Sequence, residues 1–299
     1  MRSPVTSDEA SRDTPPVNQA RQECDRNGHW PEAARQWAHL APPLRPSPQD
    51  VGFCDEAVRH WVARQGSPRA LILGVTPELY HLPWPDATDL LAVDRTPSMI
   101  DVVWPGPRDR VLCADWIDMD LPEGSRDIVL CDGGLHLLAY PGEQAALIRV
   151  LRRVVSPGGI CVFRLYVLPP RLESPDGVLQ DLLLGAIPNV SVLKLRLWMA
   201  MQSDPTVGIR LKDVWDAVHA AAPDPERVAP RVGWTVEHWR SLDTYRDRAT
   251  RYHFTDLDGV QALFCREPGG FELASLHVPT SSPGDWCPTA VFRRNAGAG

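Results

Sequence analysis

The chain has 299 residues, 43% hydrophobic and 23% charged, enough apolar material to bury one large core or a core with an added subdomain. Its formal net charge of -7, with no Lys/Arg run longer than a pair, excludes the broad basic footprint of a protein that wraps a phosphate backbone. No eighteen apolar residues run together, which excludes a transmembrane helix, and seven scattered cysteines without a Cys-x-x-Cys pair indicate neither a disulfide framework nor a zinc cluster.

In chain order, residues 1–28 are rich in Ser, Asp, Arg, Pro and Gln and lack an apolar core. They are expected to be a disordered tail rather than a secretory signal or anchor. Residues 29–66 are expected to form an N-terminal helical lid. Ala33, Trp37 and Leu40 recur at helical spacing within 30–40, and Val58, Trp61 and Val62 do so within 55–63. Short apolar runs then follow at 70–73, 90–93, 111–113, 127–131 and 159–165, separated by crossover stretches. That alternation predicts parallel βαβ units and a doubly wound α/β sheet.

The clearest helix covers 143–155, with Ala146, Leu147, Val150, Leu151 and Val154 on one face, and it is expected to stop at Ser156-Pro157-Gly158-Gly159. Beyond Leu168 the segments 176–201 and 209–222 are helical and strongly apolar, which places a helical insertion at about 170–240 of a main domain spanning 67–299. A helix over 256–264 and strands over 271–278 and 289–293 complete the chain. The connection between those strands, containing Ser281-Ser282-Pro283-Gly284, is too short for a crossover helix, so they are expected to pair antiparallel.

Function enters through spacing. The first apolar run ends at Gly74, and the second ends about twenty residues later at Asp94. In a nucleotide-binding βαβ unit the first turn brings backbone against the ligand, and the acid closing the second strand accepts hydrogen bonds from ribose hydroxyls. The carboxyl ends of the first four strands carry the loops 74–78, 94–99, 114–116 and 132–136, and that edge is where an open α/β sheet binds ligands. Gly74 allows close backbone approach, Asp94 suits the ribose diol, and Asp115 suits the adenine amino group, with Trp116 or Met99 offering an apolar face. Each has a plainer reading: Asp94 as a strand-end cap, Asp115 as a cap of the following turn, Asp132 beside Gly133-Gly134 as a turn former.

These residues resemble the class I S-adenosylmethionine-dependent methyltransferases, of the small-molecule type, over roughly 70–165, and the terminal hairpin extends the likeness. The matching features are Gly74, Asp94, Asp115 and the run Leu151-Arg152-Arg153-Val154-Val155-Ser156-Pro157-Gly158-Gly159. The sequence departs from the family in the first loop, where Ile72 replaces an acid and Thr76 and Glu78 replace glycines. The resemblance implies a seven-stranded Rossmann-like sheet, S-adenosylmethionine as cofactor, and a cofactor site drawn from Gly74, Thr76, Glu78, Asp94, Arg95, Met99, Asp115, Trp116, Asp132 and Gly133. Glu78, Asp132 or backbone carbonyls are the candidates for the methionyl ammonium. His136 falls beside the transferable methyl and is the candidate general base; a packed histidine is its plainer reading.

The implied reaction is methyl transfer to a small-molecule acceptor, because Asp132-Gly133-Gly134-Leu135 stands where relatives that modify nucleobases or amides carry an Asn/Asp-Pro-Pro-aromatic motif. Arg164, Tyr166, Tyr245, Arg251, Tyr252 and His253 are possible substrate contacts. No metal, nucleic-acid or membrane partner is expected, and a reducing cytoplasm suits the cysteines. Two rivals differ in class: a nicotinamide-dependent oxidoreductase, whose G-x-G-x-x-G is missing at 74–79, and a catalytically inactive methyltransferase-like binding or scaffolding protein, which the altered first loop would fit.

Overall fold

The computed structural model describes residues 28–266, 269–280 and 283–296; all but the last residue of the expected disordered tail lies outside the described residues. Seven strands form one sheet in the order β3-β2-β1-β4-β5-β9-β8. These are β1 (Arg69–Leu73), β2 (Asp89–Asp94), β3 (Val111–Cys113), β4 (Arg126–Asp132), β5 (Val155–Arg164), β8 (Phe271–His277) and β9 (Thr289–Arg294). The first five are parallel, and β9 runs antiparallel between β5 and β8. The doubly wound, mostly parallel sheet with an antiparallel terminal pair is the expected fold.

The central strands read as continuous apolar runs because both faces are covered. Leu71, Leu73, Val129, Cys161 and Phe163 pack on one side with the helix Gly142–Val154, and Ala70, Ile72, Ile128, Leu130 and Val162 pack on the other with the helix Pro48–Gln65. The latter helix starts well before the expected 55–63, at a capping box in which Ser47 and Asp50 satisfy each other's backbone amides.

Three segments differ from the sequence reading. The helix Gly142–Val154 ends before Ser156 and passes directly into β5: Val154 and Val155 are both fully buried in the sheet's core, and Val155 is already extended and paired with Arg126. The Pro157-Gly158-Gly159 turn therefore lies inside the strand, where the register shifts between Arg126 and Ile128 and Gly158 has φ +75°. The apolar stretch 176–201 forms two helices, Pro175–Leu183 and Val190–Met201. They are separated where Gly185 is left-handed, Pro188 lacks an amide donor, and Asn189 caps the second helix through the Val192 amide at 2.9 Å. Finally, Ile209–Arg210 pairs with Arg251–Tyr252 as a short two-stranded sheet (β6 and β7), and the helix there is Leu211–Ala221.

The helices between Pro175 and Arg240 share a hydrophobic cluster with Tyr166, Tyr245, Tyr252 and Phe254, set against the carboxyl edge of the sheet. The N-terminal segment closes over the same edge as a helix, Trp30–Arg35, and a 3-10 turn, Trp37–His39. It is held by specific polar contacts. The Arg164 Nη1 and the Tyr166 hydroxyl donate to the Pro43 carbonyl at 2.7 and 2.8 Å, the Ala41 amide donates to Ser191 Oγ at 3.1 Å, and His29 Nε2 lies 2.7 Å from the Tyr252 hydroxyl.

Candidate functional site

One cavity lies between the carboxyl ends of β1, β2 and β4, the N-terminal segment and the helix Val190–Met201. At its sheet end, Gly74 closes β1 with φ +95°, a conformation that favours glycine, and its amide donates to the Val93 carbonyl at 2.8 Å. A side chain there would also meet the Trp116 ring at 3.8 Å. The Trp116 indole is fixed by its Nε1 donating to the same Val93 carbonyl at 2.8 Å, and it packs so closely on Gly134 that a Cβ at that position would lie 2.7 Å from the ring. Gly133, at φ +57°, meets Tyr166 in the same way, at 2.8 Å. The Gly133-Gly134 pair is therefore dictated by two aromatic rings as well as by the turn.

Asp94 closes β2 with one carboxylate oxygen bound to the Thr96 amide at 2.8 Å. Burial pushes its carboxyl up to about 6, against the opposing effect of the Thr96 hydrogen bonds and Arg95. Asp115 accepts from Arg95 Nη1 at 3.1 Å and, as in an Asx turn, from the Ile117 amide at 3.2 Å. Asp132, at the end of β4, forms an ion pair with Arg164 in which both side chains are almost wholly buried. Burial works against the charge on Arg164, but Asp132 outweighs it and keeps the guanidinium protonated.

The far end of the cavity is aromatic. The His136 ring stacks on Phe254 at 4.9 Å with a 16° interplanar angle and meets Tyr252 edge-on at 4.8 Å. Burial, then the nearby Arg164, lowers its pKa to about 3, so the imidazole is neutral, and its Nδ1 has no hydrogen-bond partner. Burial likewise lowers His29 to about 3. Lys194 projects from the helix Val190–Met201 and is only 3% exposed. Its ammonium reaches the Ser241 carbonyl at 3.2 Å and the Ser241 hydroxyl at 3.5 Å, lies 4.8 Å from the Tyr245 ring centre, and is lowered by burial to about 7.

The residues expected from the sequence at the cofactor site, Gly74, Thr76, Asp94, Arg95, Met99, Asp115, Trp116, Asp132 and Gly133, all line this cavity, as does His136. Glu78 does not: its carboxylate is turned to Arg45, at 2.9 Å from Nε and 2.5 Å from Nη2. Among the expected substrate contacts, Tyr166, Tyr245 and Tyr252 line the cavity. Arg164 is instead consumed by Asp132, Pro43 and Tyr166, Arg251 binds the Val207 and Gly208 carbonyls, and His253 Nδ1 lies 2.9 Å from the Pro205 carbonyl. Sequence reasoning missed Lys194, His29, Ser241 and Thr244. Only Lys194 left a signal, as one of two cations, with Arg196, in a helix that is otherwise largely apolar.

The residues present fit the adenosyl half of the expected ligand. Gly74 leaves its β-position in ordinary contact distance of the Trp116 ring alone, and the Asp94 carboxylate borders the cavity at the end of β2. The methionyl half has different neighbours from those a family acid would give. Ile72 is fully buried in the apolar layer with Ala92 and Leu130, where a carboxylate would be desolvated without compensation.

This sheet order, with a cavity over Gly74 and Asp94, defines a class I nucleotide-binding α/β fold. Residues 71–163 match the family model described as "Methyltransferase domain". Over these residues the chain is similar to the S-adenosylmethionine-dependent methyltransferases, and S-adenosylmethionine is the cofactor this similarity supports. No curated protein matches the chain.

Among solved structures, a protein described as a putative Zn-dependent alcohol dehydrogenase from Rhodobacter sphaeroides shares 15% identity, with 94% of this chain and 100% of that chain covered and a TM-score of 0.58. It supports the fold alone. Also similar are a SAM-dependent methyltransferase from Methanosarcina mazei (13% identity; 84% and 99% covered; TM-score 0.48) and the 1,6-didemethyltoxoflavin-N1-methyltransferase of Burkholderia thailandensis (11%; 95% and 93%; 0.44). Among the described residues no group of three or more His, Cys, Asp or Glu side chains is placed to hold a metal ion, and no helix is long and apolar enough to cross a membrane.

Proposed function

We propose that this chain is an active methyltransferase that transfers the methyl group of S-adenosylmethionine to a small molecule enclosed between the sheet edge, the N-terminal segment and the helix Val190–Met201. The observation that carries this reading is the continuity of the cavity, which joins the nucleotide loops at Gly74, Asp94 and Asp115 to the aromatic end at His136, Trp198 and Tyr252. A cofactor site and an acceptor site share one enclosure, as in-line transfer requires.

When bound, the sulfonium of the cofactor supplies an already activated methyl electrophile. In this reading the ribose diol donates to Asp94, Asp115 accepts from the adenine amino group while keeping Arg95, and Met99 and Trp116 flank the ring. Thr76, Arg95, Asp132 and Gly133 border the methionyl end. Asp132 offers only the oxygens that Arg164 leaves unused, and backbone carbonyls of the 132–134 loop complete the ammonium's partners. Glu78 is left out, because Arg45 holds it away from the cavity.

His136 remains the candidate for a hydrogen bond to the acceptor. With its pKa lowered to about 3 by burial it is neutral and accepts a proton weakly, so its contribution is to orient the acceptor through Nδ1. Enclosure by Trp30, Trp37 and Trp198 excludes water from the reacting centre.

The test is calorimetry with S-adenosylmethionine and S-adenosylhomocysteine, followed by incubation with methyl-labelled cofactor and a small-molecule extract. Saturable binding that Asp94→Asn weakens, with label entering the small-molecule fraction, is the expected outcome. Binding without any label transfer would favour the inactive binding-protein reading.

A further inference from the structure

The charges that line the cavity are matched unequally. Asp115 pairs with Arg95, and Asp132 pairs with Arg164. Two lining groups have no ion-pair partner among the described residues: the Asp94 carboxylate at the nucleotide end, and Lys194 at the aromatic end. Among the described residues no carboxylate pairs with Lys194; its bonded partners are the carbonyl and hydroxyl of Ser241, neither of which carries charge. An ammonium taken from water without a counterion is costly, and burial alone already loosens the Lys194 proton; an anion placed beside Nζ would offset that cost and hold the group charged.

The surroundings of Lys194 narrow what that compensation is. The Tyr245 face lies 4.8 Å from Nζ, Trp198 packs on Tyr245 at 6.0 Å and on Tyr252 at 5.0 Å, and His136 lies 4.8 Å from Tyr252. Flat side chains therefore form the walls around Lys194. Three residues of the same wall hold buried polar atoms with no partner: His29 Nδ1, His136 Nδ1 and Trp198 Nε1. Each unsatisfied group of this kind costs about 1–3 kcal/mol. A ligand bearing oxygen acceptors would relieve part of that cost, whereas a purely hydrocarbon ligand would relieve none.

We propose that the methyl acceptor is a planar, aromatic acid whose carboxylate pairs with Lys194 while its ring lies among Tyr245, Trp198 and Tyr252. Lys194 is thus a specificity-determining residue for the acceptor. This rests on the methyltransferase reading of the same cavity. Ser241 has a supporting part. Its hydroxyl donates to the His238 carbonyl at 2.7 Å, which leaves its oxygen facing Lys194 as an acceptor and fixes the ammonium's direction.

The experiment uses the full chain and reads two ligands separately. S-adenosylhomocysteine is titrated first, into wild type, Lys194→Met and Lys194→Gln. Salicylate, 4-hydroxybenzoate and 2-naphthoate, each beside its neutral primary amide, are then titrated into the S-adenosylhomocysteine-loaded proteins by calorimetry. The expected result is that at least one acid binds wild type tenfold or more tightly than its amide. In both variants that preference falls to within twofold while S-adenosylhomocysteine affinity changes by less than twofold. Met conserves volume in an apolar wall, and Gln keeps a donor for Ser241, so a folding defect shared by both is not expected; melting curves check it.

The proposal is overturned if no acid binds wild type, if the amides bind as well as the acids, or if Lys194→Met keeps the acid preference. It is also overturned if the variants lose tenfold or more in S-adenosylhomocysteine affinity, since Lys194 would then hold the methionyl carboxylate instead. Failure of S-adenosylhomocysteine to bind wild type sinks the methyltransferase reading itself, which is a separate outcome.

Discussion

Lowering the pH from 7.5 to 5 should weaken cofactor binding through Asp94, because Lys194, lowered to about 7, also gains a proton in this window but sits at the acceptor end of the cavity. Burial raises this carboxyl to about 6, while His29 and His136, lowered to about 3, stay neutral throughout the window. At pH 7.5 nearly all Asp94 is ionised, held by the Thr96 amide and side chain, and its charge is what the ribose diol would meet. At pH 5 roughly one molecule in ten is ionised, so the dissociation constant for S-adenosylhomocysteine rises about tenfold, or about 1.4 kcal/mol. Asp94→Asn removes the charge. A hydrogen bond to a charged group is worth about 1.5–3 kcal/mol, so the variant should lose roughly 10- to 150-fold at pH 7.5. It should also lose the pH dependence below 7. Calorimetry at half-unit steps, in buffers of two ionisation enthalpies, reads the affinity and also the proton released when the diol stabilises the carboxylate. Wild-type affinity that is flat between pH 5 and 7.5, or an Asn variant with the same slope as wild type, would refute the assignment of Asp94 to the ribose.

Stability should show the opposite influence of the two histidines. Their folded pKa values lie below the unfolded one, so the unfolded state takes up protons first as pH falls through 6.5. By pH 5 each imidazole removes about 2 kcal/mol of stability. Asp94, raised from 3.8 to about 6, returns about 1.4 kcal/mol over the same interval, and Lys194, lowered from 10.5 to about 7, removes a further ~0.8 kcal/mol, so the net loss from these four groups in urea unfolding is roughly 3 kcal/mol. His136→Phe should remove about 2 kcal/mol of that difference, and an unchanged slope would show that His136 does not titrate as described. Arg164→Leu strands the buried Asp132 and frees Pro43, and should cost about 3–5 kcal/mol in denaturant unfolding; adding Asp132→Asn should recover part of it, and additive losses would contradict the ion pair. Glu78→Gln should leave S-adenosylhomocysteine affinity within about twofold, because Arg45 already holds that carboxylate. A tenfold loss would assign Glu78 to the methionyl ammonium.

The two ends of the cavity were unequally legible in the sequence, and the reason is how each is assembled. Gly74, Asp94, Asp115 and Asp132 sit at the ends of successive parallel strands, so strand periodicity and one topological rule are enough to bring them to one edge. The side chains at the aromatic end come from residue 29, from the helix Val190–Met201 and from 241–252. These segments meet only through tertiary packing that no local pattern encodes. The breaks at Gly185-Pro188 and the strand Ile209–Arg210 were hidden in the same way, since an apolar run reads alike whether it is one helix, two helices or a buried strand. Glu78 shows the converse error of reading by position alone. It occupies a family site in the chain, yet Arg45, thirty-three residues earlier, captures its carboxylate. Arg164 was likewise placed correctly at the end of β5, but its charge is spent on Asp132. What distinguishes Asp94 and Lys194 from these is that neither has an ion-pair partner among the described residues. That property appears only once every other ion pair has been assigned, which is why the nucleotide end could be read from the sequence and the acceptor end required the structure.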